Sequence, residues 1–386
     1  MKDFIYSYPT KVYFGEKAAA KALPAELAKV GKTVMFAYGG GSVKKSGVYD
    51  EICGYLREAG KEIVDFSGIM PNPTYNKVQE GAALAREKKV DFILAVGGGS
   101  VIDCCKIVAA QAVTDRDIWQ MEFKDHEYPT EFLPMGAVVT ASGTGAEMNN
   151  GAVITNEETN EKAGVLGAHA GFAVLDVAYT MSLPAKQVLS GAFDTLSHSM
   201  ETYLGSPRDI TLSDEIAEAV MRNVIRNIRL LLKDINDKEA RTELMWASAM
   251  AENGILKIGK VTDFQAHQIE HQLGAYTDCN HGQGLAVIHP VLYRHMYKDG
   301  VKQFARMAQQ VWEIPVEGKS QEELAEAGIQ ALADFVKEMG LPSTFTEMGL
   351  TDKSVLKKVA DTCNLTAGCC KKLSRDEVFE ILKECW

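Results

Sequence analysis

Two features of the sequence predict a chain of two domains, the first an α/β domain with a mostly parallel sheet and the second all-α. From residue 33 to about residue 183, short β-branched runs alternate with amphipathic stretches, as in βαβ units. After Pro184, apolar residues recur at intervals of three and four, which indicates helices. We therefore expect an α/β domain over residues 1–183 and an all-helical domain over residues 184–386. The boundary is placed at Ser182–Pro184 because proline suits a first helical turn.

The same patterns predict the individual elements. Strands are expected over Thr33–Tyr38, Glu62–Phe66 and Phe92–Val96, and helices over Val48–Ala59, Tyr75–Glu87 and Ser100–Ala110. In the second half, helices are expected over Ser213–Lys233, Arg241–Asn253 and Gln321–Met339.

Composition and charge exclude several classes of function. The chain has 386 residues, 46% of them hydrophobic, which is enough for two cores. Its net charge of −11 disfavours a nucleic-acid partner, because such a partner needs clustered Lys and Arg. The N-terminal MKDFIYSYPTK shows no secretory pattern, and glycine clusters interrupt every apolar stretch before membrane-spanning length. A cytoplasmic protein with no membrane partner is expected.

The eight cysteines are too sparse for a disulfide scaffold, so reduced thiols are expected. Cys363, Cys369 and Cys370 could be imagined as a metal cluster. They lack the paired C-x-x-C spacing of zinc sites, so we interpret them as packing residues.

A glycine-rich loop follows the strand that ends near Val96. Gly97–Asp103, GGGSVID, leads directly into a helical pattern, and this geometry delivers backbone N–H groups and a positive helix end to a pyrophosphate. A plain tight turn explains the glycines equally well. Asp103 could accept a hydrogen bond from a ligand or balance the helix dipole, and the loop alone leaves these alternatives open.

An earlier turn bears on the choice of nucleotide. Tyr38–Lys45, YGGGSVKK, follows a strand whose end should meet the adenosine ribose, where NAD-specific sites commonly place an acid. This turn has no acid, and Gly39, Gly40 and Ser42 leave room for a phosphate. Lys44 or Lys45 could screen its charge. The turn therefore favours NADP over NAD, although it could also tolerate either.

Histidines and a carboxylate recur at helical spacing in the second half. Asp194 and His198 stand at i and i+4, as do His267 and His271, and His281 follows shortly after. A lone histidine is more often a core or surface residue, but several beside a carboxylate point to a metal ion. One carboxylate and three imidazoles leave a coordination position open, and both Fe²⁺ and Zn²⁺ accept them. No catalytic role is expected for the histidines outside this spacing, His126, His169, His289 and His295.

Together these segments resemble the iron-containing (group III) alcohol dehydrogenase family, and within it the NADPH-dependent butanol dehydrogenase and aldehyde reductase branch. The resemblance spans essentially the whole chain. It is carried in order by YGGGSVKK (38–45), FSGIMPNP (66–73), GGGSVID (97–103), SGTGAE (142–147), DTLSH (194–198) and the stretch from His267 to Gly284.

The resemblance implies a Rossmann-like, dinucleotide-binding first domain and a metal-binding second domain, an arrangement that is dehydroquinate synthase-like. It implies the metal ligands Asp194, His198, His267 and His281. It also implies cofactor contacts from Gly39, Gly40, Ser42, Asn72, Gly97, Gly98, Gly99, Ser100, Asp103, Thr140, Thr144 and Lys162. For Lys162, a solvated loop lysine is the alternative. Ala141 and Ser142, where many relatives differ, are left out of these contacts.

The implied activity is hydride transfer between NADP(H) and a small primary alcohol or aldehyde, with Fe²⁺ as the expected metal and Zn²⁺ as the alternative. His271 resembles the family's active-site histidine that does not ligate the metal, and it is the expected proton relay. Asp103 is carried as a second catalytic candidate. The family also suggests a homodimer.

Two alternatives remain at this stage. Enzymes of the same architecture that act on phosphorylated substrates need basic groups at the metal, and none occurs between His267 and His281. A non-catalytic NADP-binding sensor would have no reason to keep an open coordination position.

Overall fold

The structure is a computed structural model that describes residues 3–206, 209–366 and 370–386. The chain divides into two compact units. One comprises residues 7–183, and the other comprises residues 184–386 together with the described N-terminal residues 3–6.

The first unit is built on a parallel sheet. Its strands are Lys11–Phe14 (β1), Thr33–Tyr38 (β2), Glu62–Phe66 (β3), Phe92–Gly97 (β4), Met135–Val139 (β5) and Ala170–Leu175 (β8). They lie in the order β1-β8-β5-β4-β2-β3, and every neighbouring pair is parallel. A separate antiparallel hairpin is formed by Gly151–Asn156 (β6) and Glu161–Leu166 (β7). Because the strands are parallel, the loops that follow β5, β4, β2 and β3 share one edge of the sheet.

The helices of this unit are Ala18–Leu27 (α1), Ser42–Lys45 (α2), Val48–Glu58 (α3), Tyr75–Lys88 (α4), Gly99–Gln111 (α5) and Ile118–Gln120 (α6). The three strands and three helices predicted from the sequence are confirmed to within two residues at each end. The sequence analysis did not identify β1, β5, β8, the β6–β7 hairpin, α1 or α6. β1 is a four-residue edge strand with two exposed ends, and it carries little of the apolar signal of a buried strand.

The second unit is helical, as predicted. Its helices are Ala185–Tyr203 (α7), Leu212–Leu231 (α8), Lys238–Glu252 (α9), Gln265–Thr277 (α10), His281–Met296 (α11), Val301–Gln310 (α12), Gln321–Glu338 (α13), Ser354–Thr362 (α14) and Arg375–Glu384 (α15). Pro184 stands just before α7, at its N-cap. Within the described ranges, the extended pairing in this unit is one isolated bridge between Ser206 and Val261.

α7 is the central helix of the second unit. It packs against α8, α9 and α11, and every residue from Phe193 to Tyr203 is buried. A surface helix would bury one stripe only. α7 therefore also buries polar side chains, and each of these needs a partner inside the protein.

The described cysteines are free thiols, as expected, and Cys104, Cys105, Cys363 and Cys370 are buried. Burial raises the pKa of the Cys104 thiol to about 12, which makes it unreactive. Cys369 lies outside the described residues. Among the helices of the described residues, none has the length and apolar character needed to cross a membrane.

Candidate active site

Asp194 and His198 are presented by α7, one helical turn apart. The exposed fraction is 3% for Asp194 and 8% for His198. Their i and i+4 spacing places them on the same face, and Asp194 Oδ1 lies 3.8 Å from His198 Nε2. The predicted pairing of these two residues is therefore present.

His267 enters from the first turn of α10. This helix begins after Phe264, a non-glycine residue in the left-handed region with a φ of 56°. The Glu201 carboxylate of α7 accepts hydrogen bonds from the first N–H groups of the helix, at 2.7 Å from Ala266 N and 3.3 Å from His267 N. A carboxylate at this position satisfies free donors and the positive helix end together. It fixes the start of α10 against α7.

His281 is the first residue of α11. The Asn280 side chain accepts a hydrogen bond from Gln283 N at 3.2 Å and so sets the helix start. Gly282 follows, and a Cβ there would lie only 2.2 Å from the backbone oxygen of Ser190. The helix therefore begins in direct contact with the α7 backbone, one turn before Asp194.

The three helices bring the imidazoles around a single carboxylate oxygen. Asp194 Oδ1 lies 3.4 Å from His281 Nε2 and 3.5 Å from His267 Nε2, in addition to the 3.8 Å to His198. The ligand atoms of Asp194, His267 and His281 all lie within 4.8 Å of one another. The sequence analysis proposed these four residues together, and the structure places them together.

The donor atoms of Asp194, His267 and His281 fit a divalent metal ion, and His198 Nε2 lies outside that group, 3.8 Å from Asp194 Oδ1. Four ligands at about 2.1 Å in a tetrahedral site are about 3.4 Å apart, which matches the shortest of these separations. Within the described ranges, Asp194 Oδ1 and His267 Nε2 are buried without a hydrogen-bond partner. Such atoms are costly to bury unless something binds them, and a cation bound by both would satisfy them.

Charge in the site is strongly coupled. Burial opposes the charged form of His267, yet its contacts with Asp194 and Glu201 raise its pKa to about 10. Burial likewise opposes a charged His281, and Glu270 and Asp194 raise its pKa. Burial alone would raise the pKa of Asp194, but the neighbouring histidines hold it well below its usual range. The carboxylates thus favour positive charge at the site.

His198 differs from the other two histidines, because burial lowers its pKa. Its Nδ1 has no hydrogen-bond partner among the described residues. The Phe264 ring lies 5.9 Å from the His198 ring and 5.0 Å from that of His267, so an aromatic side chain flanks both histidines.

Two acidic residues in the site were missed by the sequence analysis. Glu201 contacts His267 Nδ1, and Glu270 contacts His281 Nδ1. A signal was available for Glu201, since Asp194, His198 and Glu201 stand at i, i+4 and i+7 on one helix face.

His271 is close to the proposed ligands. Its ring centroid lies 5.4 Å from that of His281 and 5.8 Å from that of His267. Glu270, His271 and His281 also form a second group whose ligand atoms lie close enough to hold an ion. His289 is buried elsewhere in the core and shares a hydrogen bond of 2.6 Å with Ser197.

The predicted phosphate loop lies at the carboxyl edge of the sheet in the first unit. Gly97 ends β4, Gly98 is the N-cap of α5, and α5 begins at Gly99. A Cβ at Gly99 would lie 2.4 Å from Thr144 Oγ1, and Thr140 N donates to Gly97 O at 2.9 Å. Ser100 follows in the first turn of α5. The loops that carry these predicted cofactor contacts are therefore packed against one another.

Asn72 and Lys162, two of the predicted cofactor contacts, form a hydrogen-bonded pair. Lys162 lies on β7, is 7% exposed and donates to Asn72 Oδ1 at 2.9 Å. The alternative of a solvated loop lysine is therefore wrong. Asn72 has a φ of 53°, so it is held in the left-handed region where it meets this lysine.

Asp103 has a structural role as well. Its Oδ2 accepts a hydrogen bond from Val153 N at 2.9 Å, and its Oδ1 lies 3.8 Å from the buried Lys106 Nζ. Lys106 also donates to Gly151 O at 2.6 Å. Asp103 and Lys106 thus tie α5 to the hairpin, and the catalytic role of Asp103 stays a prediction.

The turn after β2 is open in the structure. A Cβ at Gly39 would lie 3.0 Å from Ile69 O, whereas one at Gly40 would meet nothing within 4 Å. Ser42 begins α2, and Lys44 Nζ lies 4.7 Å from the centroid of the Tyr49 ring.

An acid that the sequence analysis did not consider lies near this turn. Asp65 on β3 accepts a hydrogen bond from the Tyr49 hydroxyl at 2.9 Å. Asp65 lies beside β2, the strand that leads into this turn, because β2 and β3 are neighbours and Phe36 pairs with Asp65.

Comparisons with known proteins identify the family of the chain. The model of the iron-containing alcohol dehydrogenase family matches residues 9–177, and that of its C-terminal domain matches residues 188–386. NADH-dependent butanol dehydrogenase A of Clostridium acetobutylicum is 38% identical, over 100% of each chain. The NADPH-dependent aldehyde reductase YqhD of Escherichia coli is 36% identical, over 94% of each chain. The crystal structure of NADH-dependent butanol dehydrogenase A from Thermotoga maritima superimposes with a TM-score of 0.94 at 36% identity, covering 100% of this chain and 99% of that one.

Metal binding is expected to release protons and to tighten as pH rises. With a pKa of about 10, His267 is protonated at neutral pH in the metal-free chain, and a bound metal must displace that proton. The apparent affinity for Zn²⁺ should rise roughly tenfold or more per pH unit between about pH 6 and 8. Chelator competition, corrected for protonation of the chelator, measures this slope. An affinity that does not change across the range would contradict the assignment of His267 as a ligand.

Proposed function

Because this chain belongs to the iron-containing alcohol dehydrogenase family and is an alcohol or aldehyde oxidoreductase, we propose that it transfers a hydride between NADP(H) and a small primary alcohol or aldehyde. The observation that carries the proposal is the convergence of three imidazole Nε2 atoms on Asp194 Oδ1, at 3.4 to 3.8 Å. We propose Asp194, His198, His267 and His281 as the ligands of one divalent cation. Fe²⁺ is the proposed working metal. Zn²⁺ is the alternative, since it generally binds such N/O sites more tightly.

When bound, the cation supplies Lewis-acid polarisation of the substrate oxygen and NADPH supplies the hydride. The protein's own groups hold and orient these components. In the first unit, Gly98, Gly99 and Ser100 present backbone N–H groups at the start of α5, where a pyrophosphate is favoured. We propose the domain boundary at residues 183 and 184, with nucleotide binding before it and metal binding after it.

The reaction needs a proton at the alcohol oxygen, and we propose His271 as the group that delivers or accepts it. His271 is 6% exposed, and its ring stacks on that of His281. A neutral imidazole in this position can pass a proton through its second ring nitrogen.

We propose NADP rather than NAD as the cofactor. The turn from Gly39 to Lys45 contains no carboxylate, and the open space at Gly40 could accept a 2′-phosphate. Asp65 is the nearby acid, but it is engaged by the Tyr49 hydroxyl. Relatives named for NADH and for NADPH both match the chain, so the proposal of NADP rests on this turn alone.

A phosphorylated substrate is disfavoured by the pairing of Lys257. The charge of Lys257 acts on His198, but its Nζ lies 2.8 Å from Glu252 Oε2. A lysine in an ion pair supplies little attraction for a substrate phosphate. The homodimer and the cytoplasmic location stay predictions.

The metal-dependent activity is tested by His267→Ala. The wild-type protein, loaded with Fe²⁺ or Zn²⁺, should oxidise NADPH in the presence of aldehydes from acetaldehyde to hexanal. The variant should lose bound metal and turnover together, because it lacks the proposed ligand atom His267 Nε2, which lies 3.5 Å from Asp194 Oδ1. His295→Ala is the matched control, since His295 contacts Glu384 at the surface. A metal-free His267→Ala protein with wild-type turnover would refute the proposal.

Cofactor choice is tested by Gly40→Asp. The side chain fits, since a Cβ at Gly40 meets nothing within 4 Å, and its carboxylate should repel a 2′-phosphate. The ratio of kcat/KM for NADPH to that for NADH should fall by about tenfold or more. Gly40→Asn is the control of equal size without the charge. Equal shifts in both variants, or a wild-type protein that prefers NADH, would show that the turn does not select NADP.

A further inference from the structure

Each of two proposed metal ligands has a buried carboxylate behind it. The His267 ring places Nε2 toward Asp194 Oδ1 and Nδ1 toward Glu201 Oε2. The His281 ring places Nε2 toward the same Asp194 oxygen and Nδ1 toward Glu270 Oε2. A carboxylate can only accept at these contacts. Each ring is therefore held with a proton on Nδ1, and Nε2 is the nitrogen that would give up its proton when a metal ion binds at the site.

The backbone is arranged to hold these two acids. Glu201 is 4% exposed, and it also receives the N–H groups of Ala266 and His267 at the start of α10. Its position is therefore fixed from both helices.

Glu270 is fully buried, and Gly284 of α11 makes room for it. A Cβ at position 284 would lie 2.8 Å from Glu270 Cγ. The second glycine of the HGQG sequence is therefore explained by the passage of this side chain. The other carboxylate oxygen, Glu270 Oε1, accepts a hydrogen bond from the Cys279 thiol at 3.7 Å.

Glu270 could instead belong to a second ion site with His271 and His281, whose ligand atoms lie close together. The direct hydrogen bond between Glu270 Oε2 and His281 Nδ1 argues against it, because an ion between these atoms would have to replace that bond. The contact fits an orienting carboxylate better than a ligand.

We propose that Glu201 and Glu270 are positioning residues that fix the tautomer and ring orientation of His267 and His281, and thereby set the affinity of the chain for its metal. The proposal rests on the proposed metal centre. His198 provides an internal contrast, because its Nδ1 has no hydrogen-bond partner in the part of the chain that the structure describes.

Glu201→Gln and Glu270→Gln test the proposal with little change in volume. An amide can turn an N–H donor toward Nδ1, which would shift the histidine proton to Nε2 and block ligation. We expect each variant to bind Zn²⁺ about 10- to 100-fold more weakly than the wild-type chain, by chelator competition without nucleotide or substrate. Glu243→Gln is the control, since Glu243 is exposed on α9 and accepts a hydrogen bond from Asn223.

Unfolding of the metal-free variants separates positioning from stability. The proposal predicts an unfolding midpoint close to that of the wild-type chain with a weakened metal affinity. It is overturned if both variants bind Zn²⁺ as tightly as the wild type. If Glu201→Gln does not fold, because Glu201 also caps α10, then the affinity of Glu270→Gln decides alone. A wild-type chain that binds no Zn²⁺ would instead contradict the metal centre itself.

Discussion

The second unit of this protein depends on the sharing of one buried carboxylate oxygen by three imidazoles. Asp194 Oδ1 is 3.4 to 3.8 Å from the Nε2 atoms of His198, His267 and His281, which come from three helices. Burial opposes the charged forms of both Asp194 and His267. Bringing these groups together in the core therefore costs free energy unless each charge is balanced by an opposite one. The Glu201 cap on α10 and the contact of Gly282 with the α7 backbone hold these helices in register.

The first unit supplies a different kind of site, built from backbone more than from side chains. The loops after β2, β4 and β5 meet at one sheet edge, where glycines pack against neighbours such as Thr144. A Cβ at Gly99 would collide with Thr144, whereas one at Gly40 would meet nothing within 4 Å. Gly99 therefore allows close packing of two loops, and Gly40 leaves open space beside its turn. The sheet edge and the buried carboxylate are the two parts to which the proposed reaction is assigned.

Much of this arrangement could be predicted from the sequence, because helical periodicity and strand alternation are local. Asp194 and His198 share a face of any helix, and the strand from Thr33 to Tyr38 shows its apolar run. The hydrogen bond of Lys162 to Asn72 could not be predicted, because it joins residues 90 positions apart through an unrecognised hairpin. Glu270 was missed for another reason: acids on helices are usually exposed, and only packing shows that this one is buried. Glu201 could have been found, because it shares a helix face with Asp194 and His198.

Anomalous diffraction from crystals of the metal-loaded protein, recorded at the iron and zinc absorption edges, tests the central claim most directly. The account predicts one strong peak within about 2.0 to 2.2 Å of Asp194 Oδ1 and of the Nε2 atoms of His198, His267 and His281. Glu201 and Glu270 should still face the Nδ1 atoms behind it. A peak elsewhere, or side chains too far apart to share one ion, would contradict the account.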